Sequence, residues 1–348
     1  MVLWLERAGG APILNFHATP QDAEDVDPQL YDILRPHMSR AVSLTFSRVG
    51  IVHAQDILNL YAACRPPGQL QVLSITGTIP HYSSTDWFGW PIRSLPGLTV
   101  LELFELSVQV CPNMDELVWM LSNSPALHTL RLVGASGIEY QDYPRIILPN
   151  LKYVEISPIS SSARYYGILK ALVPGNLALH VRVWLALSGC ADKDGLSAFI
   201  AFLNRSNTVH LYFIEPGFSR LGSEYLEVLD SVPHLQFLSF EPLGAPQYSM
   251  NTPTALGKIF EGTGPHVRRN GLRVLHVQHM SMDQSMWDRM QQVIETRQPE
   301  KIIIGLEVRG LDDIVESGQG TKLDWLRERV GLVVHGEHVE LPIDENLS

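Results

Sequence analysis

The hexapeptide Leu127-His128-Thr129-Leu130-Arg131-Leu132, led in by Ser124-Pro125-Ala126, constrains this chain most, because its L-x-x-L-x-L rhythm returns along nearly the whole length. Close copies are Leu98-Thr99-Val100-Leu101-Glu102-Leu103, Leu151-Lys152-Tyr153-Val154-Glu155-Ile156, Leu235-Gln236-Phe237-Leu238-Ser239-Phe240 and Leu272-Arg273-Val274-Leu275-His276-Val277. Alternate residues of a strand point to opposite faces, so the two leucines of Leu130-Arg131-Leu132 go inward and Arg131 outward. One such strand cannot bury its apolar side; neighbours stacked in parallel can. The central apolar residues Leu44, Leu73, Leu101, Leu130, Val154, Val183, Leu211, Leu238, Leu275, Ile304 and Val333 mark the copies, with steps of 29, 28, 29, 24, 29, 28, 27, 37, 29 and 29 residues. That spacing predicts an elongated array.

The connections between copies carry helix signals. Asp27-Pro28 reads as an N-cap followed by a proline at the first helical position, with Leu30, Ile33 and Leu34 turned inward. Asn113-Met114-Asp115-Glu116 reads as a capping box ahead of Leu117, Met120 and Leu121. Further helices are expected over 55–63, 163–172, 194–203, 223–229, 253–260, 284–295 and 322–329, the last begun by Thr321-Lys322-Leu323-Asp324. Strand then helix, repeated, makes the fold α/β. The slot three residues beyond the last strand leucine holds Thr78, Leu106, Ala135, Ile159, Leu243 and Met280 rather than Asn or Cys, which predicts uneven repeats. The long step before Leu275 fits a loop over 244–251, and the short one before Val154 leaves room only for a turn.

Composition narrows the function classes. A formal charge of −11 opposes the counterion release on which binding to nucleic acid or an anionic membrane depends, so neither partner is expected. With 45% hydrophobic and 18% charged residues the chain has ample apolar surface for a folded array. Cys64, Cys111 and Cys190 lack C-x-x-C spacing and read as reduced, buried thiols. No stretch of about 20 apolar residues is present and the N-terminus lacks a signal pattern, which points to the cytosol or nucleus. Asn204-Arg205-Ser206 and Asn346-Leu347-Ser348 are then chance matches to the glycosylation triplet.

No catalytic constellation stands out, and neither a cofactor nor a metal is expected. His335-Gly336-Glu337-His338 has metal-binding letters, but adjacent strand residues alternate faces. His276 and His279 fall on opposite sides for the same reason. Gly262-Thr263-Gly264-Pro265 lacks the lysine of a phosphate loop and reads as a helix stop, and Asp312-Asp313 as a turn cap. The outward strand positions are more informative: Arg131, Tyr153, Arg182, Trp184, His210, Tyr212, Phe237 and His276 form an aromatic and basic group, with Trp184 expected beside Tyr212. Such residues dominate binding hot spots, which makes this set the candidate partner-binding face. Folding of loops or chain ends over the patch is the competing reading. Trp87-Phe88-Gly89-Trp90, in a connection, reads as core packing.

The segment Trp4-Leu5-Glu6-Arg7-Ala8-Gly9-Gly10-Ala11-Pro12 resembles the W-L-E-R-(S/A)-G-x-A-P-L pattern that follows the F-box in many F-box and leucine-rich-repeat proteins of mushroom-forming (basidiomycete) fungi. The later S-x-P-x-L-x-x-L-x-L units are similar to the irregular repeats of that family. The resemblance implies a leucine-rich-repeat solenoid, parallel strands on the concave face and helices or loops on the convex face. It implies a linker helix and lead-in strand over 1–16, then one array of about ten irregular repeats over 17–348. It further implies a non-catalytic module that binds a protein on its concave face as the substrate-recognition part of a ubiquitin ligase adaptor. In that family an F-box that docks Skp1 precedes this segment; the sequence from Met1 on carries none, so a Skp1-type partner is expected only if an F-box lies upstream. The alternatives are a stand-alone scaffold or inhibitor, and an enzyme whose concave site would draw on His210, His276 and Glu241.

Overall fold

A computed structural model describes residues 2–8, 11–17, 29–47, 51–64, 70–77, 88–106, 110–134, 143–157, 166–184, 193–215, 228, 231–242, 272–277, 284–297, 299–304, 321–330 and 332–335. The protein is α/β, with parallel strands dominating and comparatively few helices. It divides into two units, Met1–Leu179 with Asp194–Asn207, and His180–Lys193 with Thr208–Ser348.

In the first unit, neighbouring strands follow the order β1 (Val2–Ala8), β2 (Ala11–His17), β3 (Ser43–Ser47), β4 (Val72–Thr76), β5 (Val100–Phe104), β6 (Thr129–Val133) and β8 (Tyr153–Ser157). The β1–β2 pair is antiparallel and every later pair through β8 is parallel. Leu44, Leu73, Leu101, Leu130 and Val154 stand opposite one another on consecutive strands and are fully buried. Each buried aliphatic side chain of this kind contributes about 1.5–3 kcal/mol. The backbone repeats with the same period. The carbonyl just ahead of each strand accepts two N–H groups from the next: Val42 from Gln71 and Val72, Gln71 from Thr99 and Val100, Thr99 from His128 and Thr129, and His128 from Lys152 and Tyr153, at 2.7–3.2 Å. Because equivalent residues carry equivalent bonds, the periodicity read from the leucines is also a periodicity of the chain path.

The connections close the apolar side. Helices α1 (Gln29–Met38) and α2 (Ile51–Ala62) bury Leu34, Met38, Ile57, Leu58 and Tyr61. Helix α3 (Met114–Ser122) starts with the expected capping box: Glu116 N donates to Asn113 Oδ1 and Asn113 N donates to Glu116 Oε2, both at 2.9 Å. Its Leu117, Met120 and Leu121 point inward as the spacing requires. In the short step before Val154 a three-residue strand, β7 (Ile146–Leu148), takes the place of a helix and pairs in parallel with β9 (Leu172–Pro174). Helix α4 (Tyr166–Ala171) is ended by Arg205, just beyond α5 (Lys193–Asn204); its guanidinium donates to the carbonyls of Leu169, Lys170 and Leu172, three acceptors that the helix leaves without partners.

Two expectations for this unit are corrected. The first segment is a strand rather than a linker helix: Val2 to Ala8 pairs residue by residue with His17 to Ala11, and only Gly9 and Gly10 separate the paired alanines. A two-residue glycine connection favours a hairpin, and pairing across it overrides the helical tendency of Leu5-Glu6-Arg7. Ile33, expected inward, is exposed, and Leu34 and Met38 take the core side of α1.

In the second unit β10 (Leu179–Trp184, from His180 on), β11 (Thr208–Glu215), β12 (Phe237–Pro242), β13 (Val274–Val277), β14 (Lys301–Ile304) and β15 (Leu332–His335) are neighbours in that order, with β11 through β15 parallel. Helix α6 (Gln284–Arg297) runs two residues beyond its expected span, α7 (Lys322–Arg329) matches its own, and Thr321 and Asp324 form the second capping box. Leu211, Leu238 and Leu275 are in register, as read from the repeats. The residue opposite Leu275 is Ile302, not Ile304. On β10, the His180 ring lies against that of His210. The displacement on β14 is two residues, so its side chains keep their assigned face. The expected loop over 244–251 and the helices over 223–229 and 253–260 fall on or largely on residues outside those described.

Candidate functional site

The strand face opposite the leucines carries the candidate side chains, and each unit presents its own version. In the first unit, register places Asn15, Thr45, Ser74, Glu102, Arg131 and Glu155 in one row across six strands. Neighbouring strands are about 4.8 Å apart, close enough for each side chain to reach the next. Ser74 Oγ donates to Glu102 Oε2 at 2.9 Å; Arg131 Nη1 meets Glu102 Oε1 at 3.2 Å and Arg131 Nε meets Glu155 Oε2 at 2.7 Å. Tyr153 Oη adds a bond to the same Glu155 oxygen at 3.1 Å. The Arg131 guanidinium also lies over the Phe104 ring, 4.5 Å from its centroid. Burial alone lowers the guanidinium pKa, but Glu155, Tyr153 and Glu102 outweigh it and hold the group above its ordinary value.

This ladder places Arg131 and Tyr153 together, as expected, but uses them differently. Glu155 is 3% exposed, whereas Arg131 and Glu102 retain 25% and 22% of their side-chain surface. Tyr153 is buried, its hydroxyl turned to Glu155 rather than to solvent. On β5 and β6 the partly open part of the face is Phe104, Val133 and the outer edge of the Glu102–Arg131 pair. The alternation of charge at equivalent positions, Glu102, Arg131 and Glu155, was available in the aligned repeats and is the signal that the reading by residue type passed over.

In the second unit His210, Phe237, Val274 and Lys301 form one row and Tyr212, Ser239, His276 and Ile303 the next. His180 lies against His210 with ring centroids 4.1 Å apart; Phe237 lies 5.3 Å from His210 and 5.1 Å from Tyr212. Ser239 Oγ and His276 Nδ1 are 2.9 Å apart. The rows are aromatic and histidine-rich as expected, but they are not an open surface. Tyr212 is 4% exposed, Phe237 6% and His276 0%, and Tyr212, Phe237 and Ile303 form a buried cluster with Val274 against it. Bulky rings on adjacent strands shield one another when no short residue separates them. Burial pushes the Tyr212 hydroxyl up to about 12, with the charge of Arg182 opposing. Trp184 ends β10, and its side chain lies outside what is described. Burial, and then the neighbouring His180, lower the pKa of His210 to about 4, and its Nδ1 has no hydrogen-bond partner.

Other candidates are placed as follows. Phe88 and Trp90 are buried, with Trp90 Nε1 donating to the Val110 carbonyl at 2.8 Å and the Gln55 amide bonded to both the N–H and the carbonyl of Gly89; Trp87 lies outside the described residues. Cys111 is buried and its thiol is pushed up to about 12, mainly by burial; Cys64 is half-buried. Gly262 to Pro265, Asp312-Asp313, His279, Cys190 and Gly336 to His338 lie outside the described residues. Among the described residues no group of three or more His, Cys, Asp or Glu is arranged to hold a metal ion, and no helix is long and apolar enough to cross a membrane. The side chain of Glu241, on which the enzyme alternative would draw with His210 and His276, lies outside what is described. No protein-family model matches the chain, and no curated protein matches it.

Proposed function

We propose that the chain is an irregular leucine-rich-repeat solenoid that recognises another protein without catalysis, and that it serves as the recognition part of an F-box-type adaptor. The observation that carries the repeat reading is the carbonyl of Val42, Gln71, Thr99 and His128, each accepting the same pair of bonds from the following rung. A non-catalytic role is supported by the way the ionisable groups of the first unit satisfy one another. Glu102, Arg131 and Glu155 are joined into a ladder instead of converging on a space where a substrate would sit.

The binding surface in this reading is the first-unit face around Phe104, Val133 and Arg131, where an aromatic ring and a guanidinium remain partly accessible. Capture experiments with the whole chain as bait test it. Phe104→Glu is expected to lose bound proteins that wild type retains while unfolding at a similar temperature; an identical bound set for both sequences refutes the surface. Purified Skp1 tests the adaptor half. Binding by the full gene product supports that assignment, and failure to bind leaves a stand-alone scaffold or inhibitor in its place.

A further inference from the structure

The first-unit face assigned to recognition is uneven in height. On β3 and β4 it presents Ser43, Thr45, Ser47, Val72, Ser74 and Thr76, none larger than valine. In the same rows β5 and β6 present Glu102, Phe104, Arg131 and Val133. All of these except Ser74 stay partly open to solvent. The short side chains form a shelf that runs along the strands, and Glu102 and Phe104 form a step beside it, roughly 10 Å from β3.

The charge on this face is one-sided. The outward positions of β3 to β6 and β8, with the residue that follows β5, carry the carboxylates of Glu102, Glu155 and Glu105 against the one guanidinium of Arg131 among the described residues. Glu155 is consumed in the ladder, but the other two are not. Glu102 accepts from Ser74 on one oxygen and from Arg131 on the other; a carboxylate has about four acceptor positions, so room is left for a donor from outside. Glu105 is exposed, and no cation among the described residues pairs with it. It also holds a φ of +51° where the neighbouring rungs place Gly77 and Gly134, so this carboxylate stands at the end of β5 against the preference of the backbone.

We propose that this face takes an extended, basic segment of the partner protein. An apolar side chain packs on the open part of the Phe104 ring, and lysine or arginine side chains on either side of it meet Glu102 and Glu105. The inference rests on the recognition reading above and supplies the chemistry of the partner. A segment with basic, apolar and basic residues at alternate positions turns all three to one face at intervals of roughly 7 Å. That spacing suits a carboxylate, a ring two residues on and a second carboxylate just beyond it. The formal charge of −11 favours the same partner at longer range and repels an acidic one.

The test is fluorescence anisotropy of the full chain with a short labelled peptide carrying lysine, leucine and lysine at alternate positions between serines, and with its glutamate counterpart. The lysine peptide is expected to bind, more weakly as salt is raised, and the glutamate peptide not to bind. Glu105→Gly is expected to weaken the lysine peptide about three- to fivefold while leaving the protein no less stable to denaturant, a combination that a merely structural residue does not give. Phe104→Ala is expected to weaken it as well. Asp115→Asn, which removes the same charge from α3 on the leucine side of the sheet, is expected to leave binding unchanged. Equal binding of the two peptides overturns the proposal, as does an equal effect of Glu105→Gly and Asp115→Asn. No binding of the lysine peptide up to about 1 mM also overturns it. If Phe104→Glu still loses captured proteins in that case, the recognition surface stands and only the basic partner falls.

Discussion

Replacing Arg131 with methionine tests the ladder most directly, because it keeps the length of the side chain and removes only the charge and the donors. Arg131 joins Glu102 at 3.2 Å to Glu155 at 2.7 Å, and Glu155 is 3% exposed. Removing one partner of a buried ion pair leaves the other charge uncompensated, which typically costs about 3–5 kcal/mol. Two features reduce that figure here: Arg131 keeps 25% of its surface, and Tyr153 Oη still donates to Glu155. The lost contact between the guanidinium and the Phe104 ring adds back about 0.5–1 kcal/mol. The net expectation is a loss of about 2–4 kcal/mol for Arg131→Met, read from the urea midpoint with the slope unchanged. Arg131→Met combined with Glu155→Gln is expected to be more stable than Arg131→Met alone by at least about 1 kcal/mol, since the stranded charge is gone. A single variant within about 0.5 kcal/mol of wild type would show that the row is a solvated surface pair and would refute the reasoning.

Two further predictions follow from particular residues. Gly77, Glu105 and Gly134 directly follow the last residues of β4, β5 and β6 and all adopt positive φ, +55°, +51° and +66°; Gly77 N donates to the Phe104 carbonyl and Glu105 N to that of Val133. Glu105→Gly is therefore expected to stabilise the protein by about 0.5–1 kcal/mol and Gly134→Ala to destabilise it by about 1 kcal/mol, both measured by chemical denaturation; a loss of stability in the first variant contradicts this. Tyr212→Ala, at a position first read as an exposed anchor, is expected to cost about 3 kcal/mol because the ring is buried between Phe237 and His210; a melting temperature close to wild type restores the exposed reading.

Which parts of the molecule were legible in the sequence follows from what a period of two specifies. Parity assigns a face and survives a slip of two residues, so Ile304 was misplaced along its strand without its side chain changing sides. Parity does not say whether the second face is open. That information lies in the residues between the leucines. In β3 and β6, Ser43-Leu44-Thr45-Phe46-Ser47 and Thr129-Leu130-Arg131-Leu132 alternate polar with apolar, as strands with one less-buried face do. In β11 and β14 the alternation fails: Leu211-Tyr212-Phe213-Ile214 and Ile302-Ile303-Ile304 are continuous apolar runs, the signature of strands covered on both sides. The aromatic richness of β11 that suggested a binding surface is thus the same property that marks it as interior. The hairpin at the start was signalled by Gly9-Gly10, but the helical propensity of Leu5-Glu6-Arg7 competes with that signal until Val2 to Ala8 pairs with Ala11 to His17. The proposed partner surface lies where alternation persists, on the rungs carrying Glu102, Phe104, Arg131 and Val133. There a substitution at Phe104 separates binding from folding, whereas one at Tyr212 perturbs both.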